Sequence, residues 1–322
     1  MRSNSAKTVA ICALVGLAAN PAAAAPYNDG IPPRGAVTNH VIVISIDGLR
    51  PDAIEPFEAR TLQRLLREGA YTLDARTVYP SKTLPSHTSM LTGVPPTVHG
   101  VTWNTDQTGD HGSLEIPTVF ELARTQGFRT AAFFSKAKLR HLEKPGTLDH
   151  SQAPQGLDTF MASRTVEDAT RYMRFRRPNL TFVHIAEPDA AGHSFGWMTA
   201  PYRMAVRRAD AAVSQILLTA EAVFGTGGYT VIVTADHGGH GRGHGTDHVD
   251  DLNIPWIAWG AGVARGRIDA DVNTMDTAAT VLWLLGVAAP PVFEGRTVAS
   301  AYTPAARLLA AASGGQVAGP TP

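Results

Sequence analysis

The chain has 322 residues, and its 28 lysine and arginine residues equal its 28 aspartate and glutamate residues in number. This balance leaves no basic excess, so we do not expect a nucleic-acid polymer as the main partner. Hydrophobic residues make up 44% of the chain, which is enough for one large core at this length.

Residues 1–25 have the pattern of a cleavable secretory signal peptide. Arg2 and Lys7 precede a mostly apolar run, and a stretch of small residues ends at Ala25. The apolar run is short for a membrane-spanning helix, so we expect no stable membrane span in the mature protein. We therefore predict a secreted or periplasmic protein.

The only cysteine, Cys12, lies inside this predicted signal peptide. A mature protein that starts near Pro26 would therefore contain neither a thiol nor a disulfide. Any metal site in it must then be built from histidines and carboxylates.

The first predicted strand runs from His40 to Ile46 and is a continuous run of mainly β-branched residues. Such runs are typical of strands buried on both faces of a parallel sheet. The strand ends in Asp47, and open α/β sheets bind their ligands at the carboxyl ends of strands. A helix cap or a turn is the ordinary alternative for this aspartate.

Thr83 stands just ahead of Pro85 and Ser86, a pattern that predicts the start of a helix. The Thr83 hydroxyl would then lie at the positive end of that helix, where a developing anion is favoured. A hydroxyl needs activation before it can attack, and the neighbouring residues offer no obvious base. Either a metal lowers its pKa, or Thr83 is only a helix cap.

Asn104 lies in a predicted loop after this helix. Its amide could donate a hydrogen bond to an oxyanion, although a turn is the commoner role of such an asparagine. Residues 136–163 are irregular and contain several prolines and glycines, so we predict either a lid or a long connection there. Most other elements are predicted as helices over 57–68, 116–126, 165–177, 200–224 and 276–285, and as strands over 72–78 and 128–135.

Two later buried strands, over 180–186 and 229–235, also lead into carboxylates. Asp189 and His193 follow the first of them and are four positions apart, so they share a face if this segment is helical. The second ends in Asp236 and His237.

Four histidines follow in a glycine-rich segment: His237, His240, His244 and His248. His248 leads into a predicted strand over 253–259, which would hold it near the sheet. We therefore predict His237 and His248 as metal ligands and leave the role of His240 and His244 open. The alternative is a flexible tract that binds metals loosely, as His-rich segments do.

The alternation of strands and helices predicts an α/β fold with a mainly parallel central sheet and helices on both faces. We expect one catalytic domain over residues 26–303 and an Ala/Gly-rich, disordered tail over 304–322. Carboxylates at three strand ends with two nearby histidines suit Zn²⁺, with Mn²⁺ or Fe as alternatives. Five or six such ligands fit two metal ions roughly 4 Å apart.

In this order, the motifs resemble the type I phosphodiesterase/nucleotide pyrophosphatase family of the alkaline phosphatase superfamily. The motifs that carry the resemblance are Asp47-Gly48, Lys82-Thr83-Leu-Pro-Ser-His87, His99-Gly100 with Asn104, Glu187-Pro-Asp189-Ala-Ala-Gly-His193, Asp236-His237-Gly238 and Gly245-Thr-Asp-His248. They span most of the predicted catalytic domain.

The resemblance implies a role for each matching residue. One Zn²⁺ would be held by Asp47, Asp236 and His237, and the other by Asp189, His193 and His248. Thr83 would be the nucleophile and would form a phospho-threonine intermediate. Asn104 and the backbone N–H of Leu84 would bind the non-bridging phosphoryl oxygens.

The expected substrate is a small phosphodiester or a nucleotide. Nucleotide-cleaving members of the family sandwich the nucleobase between two aromatic residues, and the corresponding positions here are Leu84 and His184. Leu84 offers no ring face and His184 is a weaker stacking partner, so the sequence does not support a nucleobase clamp.

Four other functions are compatible with parts of this pattern. A phosphomonoesterase or a phosphonate hydrolase would share the framework, but a monoesterase normally adds a basic residue for the third oxygen, and Asn104 is neutral. A sulfatase would need Cys or Ser at Thr83 and Arg at His87. A non-enzymatic periplasmic zinc-binding protein would explain the histidines but not the strand-end carboxylates or Thr83.

Overall fold

The computed structural model describes residues 35–312, except 108, 110, 111 and 156–160. The predicted signal peptide lies outside the described residues. Within them, the strands are β1 (His40–Ile46), β2 (Ala70–Arg76), β3 (Thr130–Phe133), β4 (His150–Gln152), β5 (Leu180–Ile185), β6 (Tyr229–Thr234), β7 (Asn253–Gly260) and β8 (Gly266–Arg267). The helices are α1 (Arg60–Glu68), α2 (Thr83–Thr92), α3 (Pro96–His99), α4 (Val119–Thr125), α5 (Ala162–Arg176), α6 (Glu187–Phe195), α7 (Ala200–Phe224), α8 (Val249–Leu252), α9 (Asp276–Leu284) and α10 (Pro304–Ala311).

The strands form one sheet in the order β4-β3-β5-β1-β6-β7-β2-β8. The neighbouring pairs β4–β3, β3–β5, β5–β1 and β1–β6 are parallel, whereas β7 runs antiparallel to both β6 and β2. The predicted mainly parallel α/β sheet is therefore confirmed, with β7 as the strand that runs the other way.

Helices cover both faces of this sheet. On one face α7 packs against α1, α5 and α6, and on the other α2 packs against α3, α4 and α9. This explains why all seven residues of β1 are buried and why the strand is mainly apolar rather than alternating, with His40 and Ser45 as its polar residues.

The register brings three strand ends to one level. Ser45 of β1 is paired with His184 of β5 on one side and with Thr234 of β6 on the other. Because these strands are parallel, the residues that follow them emerge side by side at the same edge. Asp47, Asp236 and the start of α6 therefore meet there.

Two segments differ from the sequence prediction. Residues 136–155 contain a short 3₁₀ helix (Ala137–Leu142) and strand β4, so this segment contributes one strand to the sheet rather than being irregular throughout. Residues 304–311 form α10 rather than a disordered tail, since the Thr303 hydroxyl caps the helix and Ala306 and Ala310 are buried. The rest of that tail, 313–322, lies outside the described residues. No helix in the described part of the chain is both long and apolar enough to cross a membrane.

Helix α1 is capped from another element. Its N-cap residue, Ala59, has no side chain that could accept a hydrogen bond. Instead, the carboxylate of Asp210 on α7 accepts from the backbone N–H of Thr61 at 3.0 Å and of Leu62 at 2.8 Å. These are two of the amides that a helix start leaves without a partner, so Asp210 ties α1 to α7.

We expect Asp210→Ala to lower the free energy of unfolding by about 2 kcal/mol, because two buried amides lose a charged acceptor. Asp210→Asn keeps one acceptor oxygen and should lose less. Urea titration followed by circular dichroism measures both values. Asp269→Ala, at an exposed position, is the matched control, and an equal loss in that variant would contradict the capping role.

Candidate active site

Three carboxylates are buried together at the carboxyl edge of the sheet. Asp47 follows β1, Asp236 follows β6 and Asp189 lies in the first turn of α6, and none is more than 3% exposed. The backbone holds them in place: the N–H of Asp189 donates to the carbonyl of Asp47 at 2.9 Å, and the N–H of Gly48 donates to Asp236 Oδ1 at 3.1 Å. Gly48 has φ +72°, and a Cβ there would lie 3.0 Å from the Asp189 Cα. The close approach of these two segments therefore requires glycine.

His237 lies among these carboxylates. Its Nε2 is 3.3 Å from Asp47 Oδ1, 3.3 Å from Asp236 Oδ2 and 4.0 Å from Asp189 Oδ1. Its Nδ1 donates to the carbonyl of Gly238 at 2.8 Å, which directs Nε2 towards the carboxylates.

Like charges at close range perturb the carboxyl groups. Burial and the neighbouring Asp47 raise the pKa of Asp236 to about 7. Burial alone would also raise the pKa of Asp47, but Lys136 and the rings of His184 and His237 hold that pKa well below its usual range. The negative charge of the three carboxylates is therefore only partly balanced by the basic side chains around them.

Lys136 is the main cation of the cluster and was not identified from the sequence. Its Nζ forms ion pairs with Asp47 Oδ2, at 2.7 Å, and with Asp189 Oδ2. Although burial opposes it, these two carboxylates raise the pKa of Lys136 above its usual value. Lys136 follows β3 in a segment without a hydrophobic period, so its sequence context carried no signal.

Thr83 is the first residue of α2 and is completely buried. The N-cap position belongs to Lys82, and no side chain caps this helix, so the interpretation of Thr83 as a cap is not supported. The Thr83 hydroxyl instead lies 3.4 Å from His237 Nε2. The hydroxyl therefore faces the carboxylate cluster from the positive end of α2.

A second group of ligand atoms adjoins the first. His193 Nε2 lies 3.3 Å from Asp189 Oδ1, and His244 Nε2 lies 3.5 Å from the same oxygen. Each imidazole is positioned through Nδ1 by a backbone carbonyl, Arg242 for His193 and Ser81 for His244. The two Nε2 atoms are 3.1 Å apart. Because each Nδ1 is bonded to a carbonyl, a neutral ring presents a lone pair at Nε2, and the two lone pairs repel unless a proton or a cation lies between them.

The predicted third ligand of this group, His248, lies elsewhere. It stacks on His240 with ring centroids 4.2 Å apart, and these two form a separate group with Asp251. The Nδ1 of His248 accepts from the N–H of Asp250 and caps α8. The sequence prediction missed this short helix before β7, and the structure brings His244 to Asp189 and His193 instead.

One indole connects the loops that carry these residues. Trp197 donates from Nε1 to the carbonyl of Gly48 at 2.9 Å. A Cβ on Gly192 would lie 2.6 Å from its ring, and a Cβ on Gly239 would lie 2.3 Å from it. The turn after β1, helix α6 and the histidine loop therefore pack on the same side chain.

These residues fit divalent cations. Asp47 Oδ1, Asp189 Oδ1 and Asp236 Oδ2 are buried without a hydrogen-bond partner in the described part of the chain. Two overlapping groups, Asp47–Asp189–His237 and Asp189–His193–His244, have ligand atoms within 4.8 Å of one another. Oxygen and imidazole donors without a thiolate suit Zn²⁺ and related metals.

Asn104 lies beside the start of α2. Its Oδ1 accepts from the backbone N–H of Leu84 at 2.9 Å and from Lys138 Nζ at 3.1 Å. Burial and the charge of Lys136 lower the pKa of Lys138 to about 8. The resemblance implied that Asn104 and the N–H of Leu84 both bind phosphoryl oxygens, and the structure places the two groups in contact with each other. The sequence gave no indication of Lys138.

Leu84 and His184 do not provide a surface for a substrate. Both side chains are completely buried. His184 Nε2 lies 2.9 Å from Asp47 Oδ2, so this ring orients a carboxylate rather than stacking on a nucleobase. Burial lowers the pKa of His184 to about 4, which makes Nε2–H of the neutral ring the donor to Asp47.

Comparisons with known proteins find a matching family and several relatives. The type I phosphodiesterase/nucleotide pyrophosphatase family matches residues 41–255. GPI ethanolamine phosphate transferase 1 of Gibberella zeae is 28% identical over 221 residues, which cover 64% of this chain and 22% of that protein. Human ectonucleotide pyrophosphatase/phosphodiesterase family member 1 is 25% identical over 58% of this chain and 22% of its own length. For venom phosphodiesterase of Macrovipera lebetinus, the identity is 25% over 64% of this chain and 26% of that protein.

Solved structures share the fold. Murine ectonucleotide pyrophosphatase/phosphodiesterase 5, as an inactive form in complex with AMP, has a TM-score of 0.70 at 15% identity and covers 82% of this chain and 100% of its own. A 2-O GAG sulfatase has a TM-score of 0.66 at 15% identity, with coverage of 88% and 76%. Both likenesses show the alkaline phosphatase-like α/β architecture. The chain spans about a quarter of the length of the curated relatives.

We expect His244→Ala to lose about one equivalent of bound zinc per chain, because it removes one of three convergent ligands. His248→Ala should retain the full amount, since its ring lies in the neighbouring group. Elemental analysis after dialysis against zinc-buffered solution measures both, with circular dichroism as the folding control. Loss of zinc in His248→Ala but not in His244→Ala would restore the ligand predicted from the sequence.

Proposed function

The chain belongs to the type I phosphodiesterase/nucleotide pyrophosphatase family, and we propose that it is a two-metal phosphoric ester hydrolase with Thr83 as its nucleophile. The carrying observation is the Thr83 hydroxyl, which lies at the start of α2 and 3.4 Å from His237 Nε2, beside three buried carboxylates. A phosphodiester or a nucleotide is the first substrate class to test.

The ligand assignment takes the first site from the family resemblance, with Asp236 Oδ2 lying 3.3 Å from His237 Nε2, and the second site from the group that His244 forms with Asp189 and His193. Asp47, Asp236 and His237 would hold one cation, and Asp189, His193 and His244 the other. Zinc is the metal that this donor set favours, with Mn²⁺ or Fe as alternatives. Bound there, divalent cations would lower the pKa of a nearby hydroxyl and neutralise phosphoryl charge.

The chain's own groups then position the reaction. The Thr83 oxygen attacks phosphorus, the bond to the leaving alcohol breaks, and a phospho-threonine remains until water releases it. The N–H of Leu84 lies next to the nucleophile at the positive end of α2 and can donate to a phosphoryl oxygen. His184 keeps Asp47 in place through its 2.9 Å hydrogen bond.

Transfer to an alcohol is a second candidate function. Relatives that align with this chain include a GPI ethanolamine phosphate transferase at 28% identity. The same phospho-threonine could be resolved by an acceptor alcohol rather than by water, with no change in the groups around Thr83. Product analysis in the presence of ethanol or glycerol distinguishes transfer from hydrolysis.

We expect Thr83→Ala to lower kcat/KM for bis-p-nitrophenyl phosphate by roughly 10³-fold or more, because no group is left to form the covalent intermediate. Bound metal should be unchanged, which separates an enzyme from a zinc-binding protein. Thr83→Ser keeps a hydroxyl and should retain part of the activity.

The control for that experiment is Thr92→Ala, at the other end of α2. The Thr92 hydroxyl donates only to the carbonyl of Thr88 within the helix, so its loss should leave turnover nearly unchanged. Full activity in Thr83→Ala would refute the proposed nucleophile.

We also propose that the protein is exported, on the basis of residues 1–25. The mature protein purified from its native cells should then begin at or near Pro26. N-terminal sequencing tests this, and an intact terminus at Met1 on the exported protein would contradict cleavage.

A further inference from the structure

We propose that Lys138 and the backbone N–H of Leu84 form a binding position for an additional anionic oxygen of the substrate. The inference rests on the proposed function and narrows its substrate class. The site would favour substrates that bring a second negative charge beside the reacting phosphoryl group.

An oxygen atom already marks this position. Asn104 Oδ1 accepts from the N–H of Leu84 at 2.9 Å and from Lys138 Nζ at 3.1 Å. The two donors come from different elements, the first turn of α2 and the segment after β3, yet they converge on one oxygen. A substrate oxygen that takes this place satisfies the same two donors and carries the charge that an amide lacks.

The two lysines of this segment differ in how their charge is used. Lys136 is neutralised by Asp47 and Asp189. Lys138 is partly buried, and no carboxylate of the described residues lies within 4.0 Å of its Nζ, which donates to the neutral Asn104 at 3.1 Å. A partly buried ammonium that contacts an amide oxygen, with the carboxylates of Asp47, Asp189 and Asp236 acting on it only from beyond ion-pair distance, is a favourable partner for an incoming anion.

Residues that neighbour Asn104 and Lys138 along the chain line a cleft. This cleft of about 310 Å³ includes Trp103, which precedes Asn104, and His141, three positions after Lys138. The two rings lie edge to face, with centroids 5.5 Å apart. Thr83, Leu84 and Lys138 do not line this cleft, so the anion position does not depend on it.

Two kinds of substrate present such an oxygen. One is the third non-bridging oxygen of a phosphomonoester, and the other is an acidic group on the alcohol of a diester. The neutral Asn104 alone favoured diesters in the sequence analysis. The preference for diesters rested on the lack of a basic group for the third oxygen, and Lys138 supplies such a group.

Three substrates with the same leaving group separate these sources: p-nitrophenyl phosphate, methyl p-nitrophenyl phosphate and carboxymethyl p-nitrophenyl phosphate. We expect Lys138→Met to lower kcat/KM about tenfold or more for at least one of the two substrates with an extra charge. The loss for the methyl diester should stay below about threefold. A loss confined to the monoester identifies the third oxygen, and a loss confined to the carboxymethyl diester identifies the acidic substituent.

Two further variants control for charge and for folding. Lys138→Arg keeps the cation and should restore much of the lost activity. Lys144→Met removes another lysine of the same segment, which is paired with Glu121, and should leave the ratio among the three substrates unchanged. Equal losses on all three substrates, or no loss on any, would overturn the proposal.

A binding measurement keeps this inference separate from the proposed function. Calorimetric titration of the metal-loaded wild type and Lys138→Met with inorganic phosphate and with dimethyl phosphate requires no turnover. We expect the variant to bind phosphate about tenfold more weakly and dimethyl phosphate almost equally. That result with an inactive wild type refutes the hydrolase but retains the anion position, whereas unchanged phosphate binding refutes the anion position itself.

Discussion

The structure depends on three carboxylates that are buried next to one another at the edge of the sheet. Isolated buried charges are strongly destabilising, and like charges in contact add to that cost. Lys136 and the ring of His237 offset part of it, yet the pKa of Asp236 still rises to about 7. A fold that keeps this arrangement is more stable with cations bound than without them, since anything that binds only the folded state stabilises it.

The supporting contacts show how the strands make this arrangement possible. The parallel register places Ser45, His184 and Thr234 side by side, so the next residues of all three strands emerge together. Neighbouring side chains then hold this edge of the sheet: His184 bonds to Asp47, and His87 bonds through Nε2 to Ser45 and through Nδ1 to the carbonyl of Thr83. Burial lowers the pKa of His87 to about 4, so this link between β1 and α2 is neutral. Groups that do not touch a substrate thus fix the geometry of those placed to do so.

The sequence predicted those parts of the site that follow from regular structure. Asp47 and Asp236 end strands whose apolar runs are unmistakable, and Asp189 and His193 have the spacing of one helical turn. The histidine that joins Asp189 and His193 could not be chosen between His244 and His248 in this way, because a glycine-rich loop has no hydrophobic period and the short helix after His248 gave no signal.

Lys136 and Lys138 were missed for a similar reason. They stand just after a short strand, in a segment whose irregular pattern suggested either a lid or a long connection and marked no particular residue. Leu84 and His184 occupy the positions that the resemblance gives to a nucleobase clamp. Their burial depends on how α2 and β5 pack, which no local pattern encodes. The helix at Pro304–Ala311 was missed because its alanines resemble a low-complexity tail, although Thr303 and Pro304 together form a regular helix start.

Trp197 has a consequence for how this sequence can change over time. Its indole packs on Gly192 and Gly239 and donates to the carbonyl of Gly48. A side chain at either of those two glycines would displace the ring, and a smaller residue at 197 would leave both backbones without a packing partner. We therefore expect the three motifs, although far apart along the chain, to change together, so that a substitution in one is tolerated only with a matching change in the others.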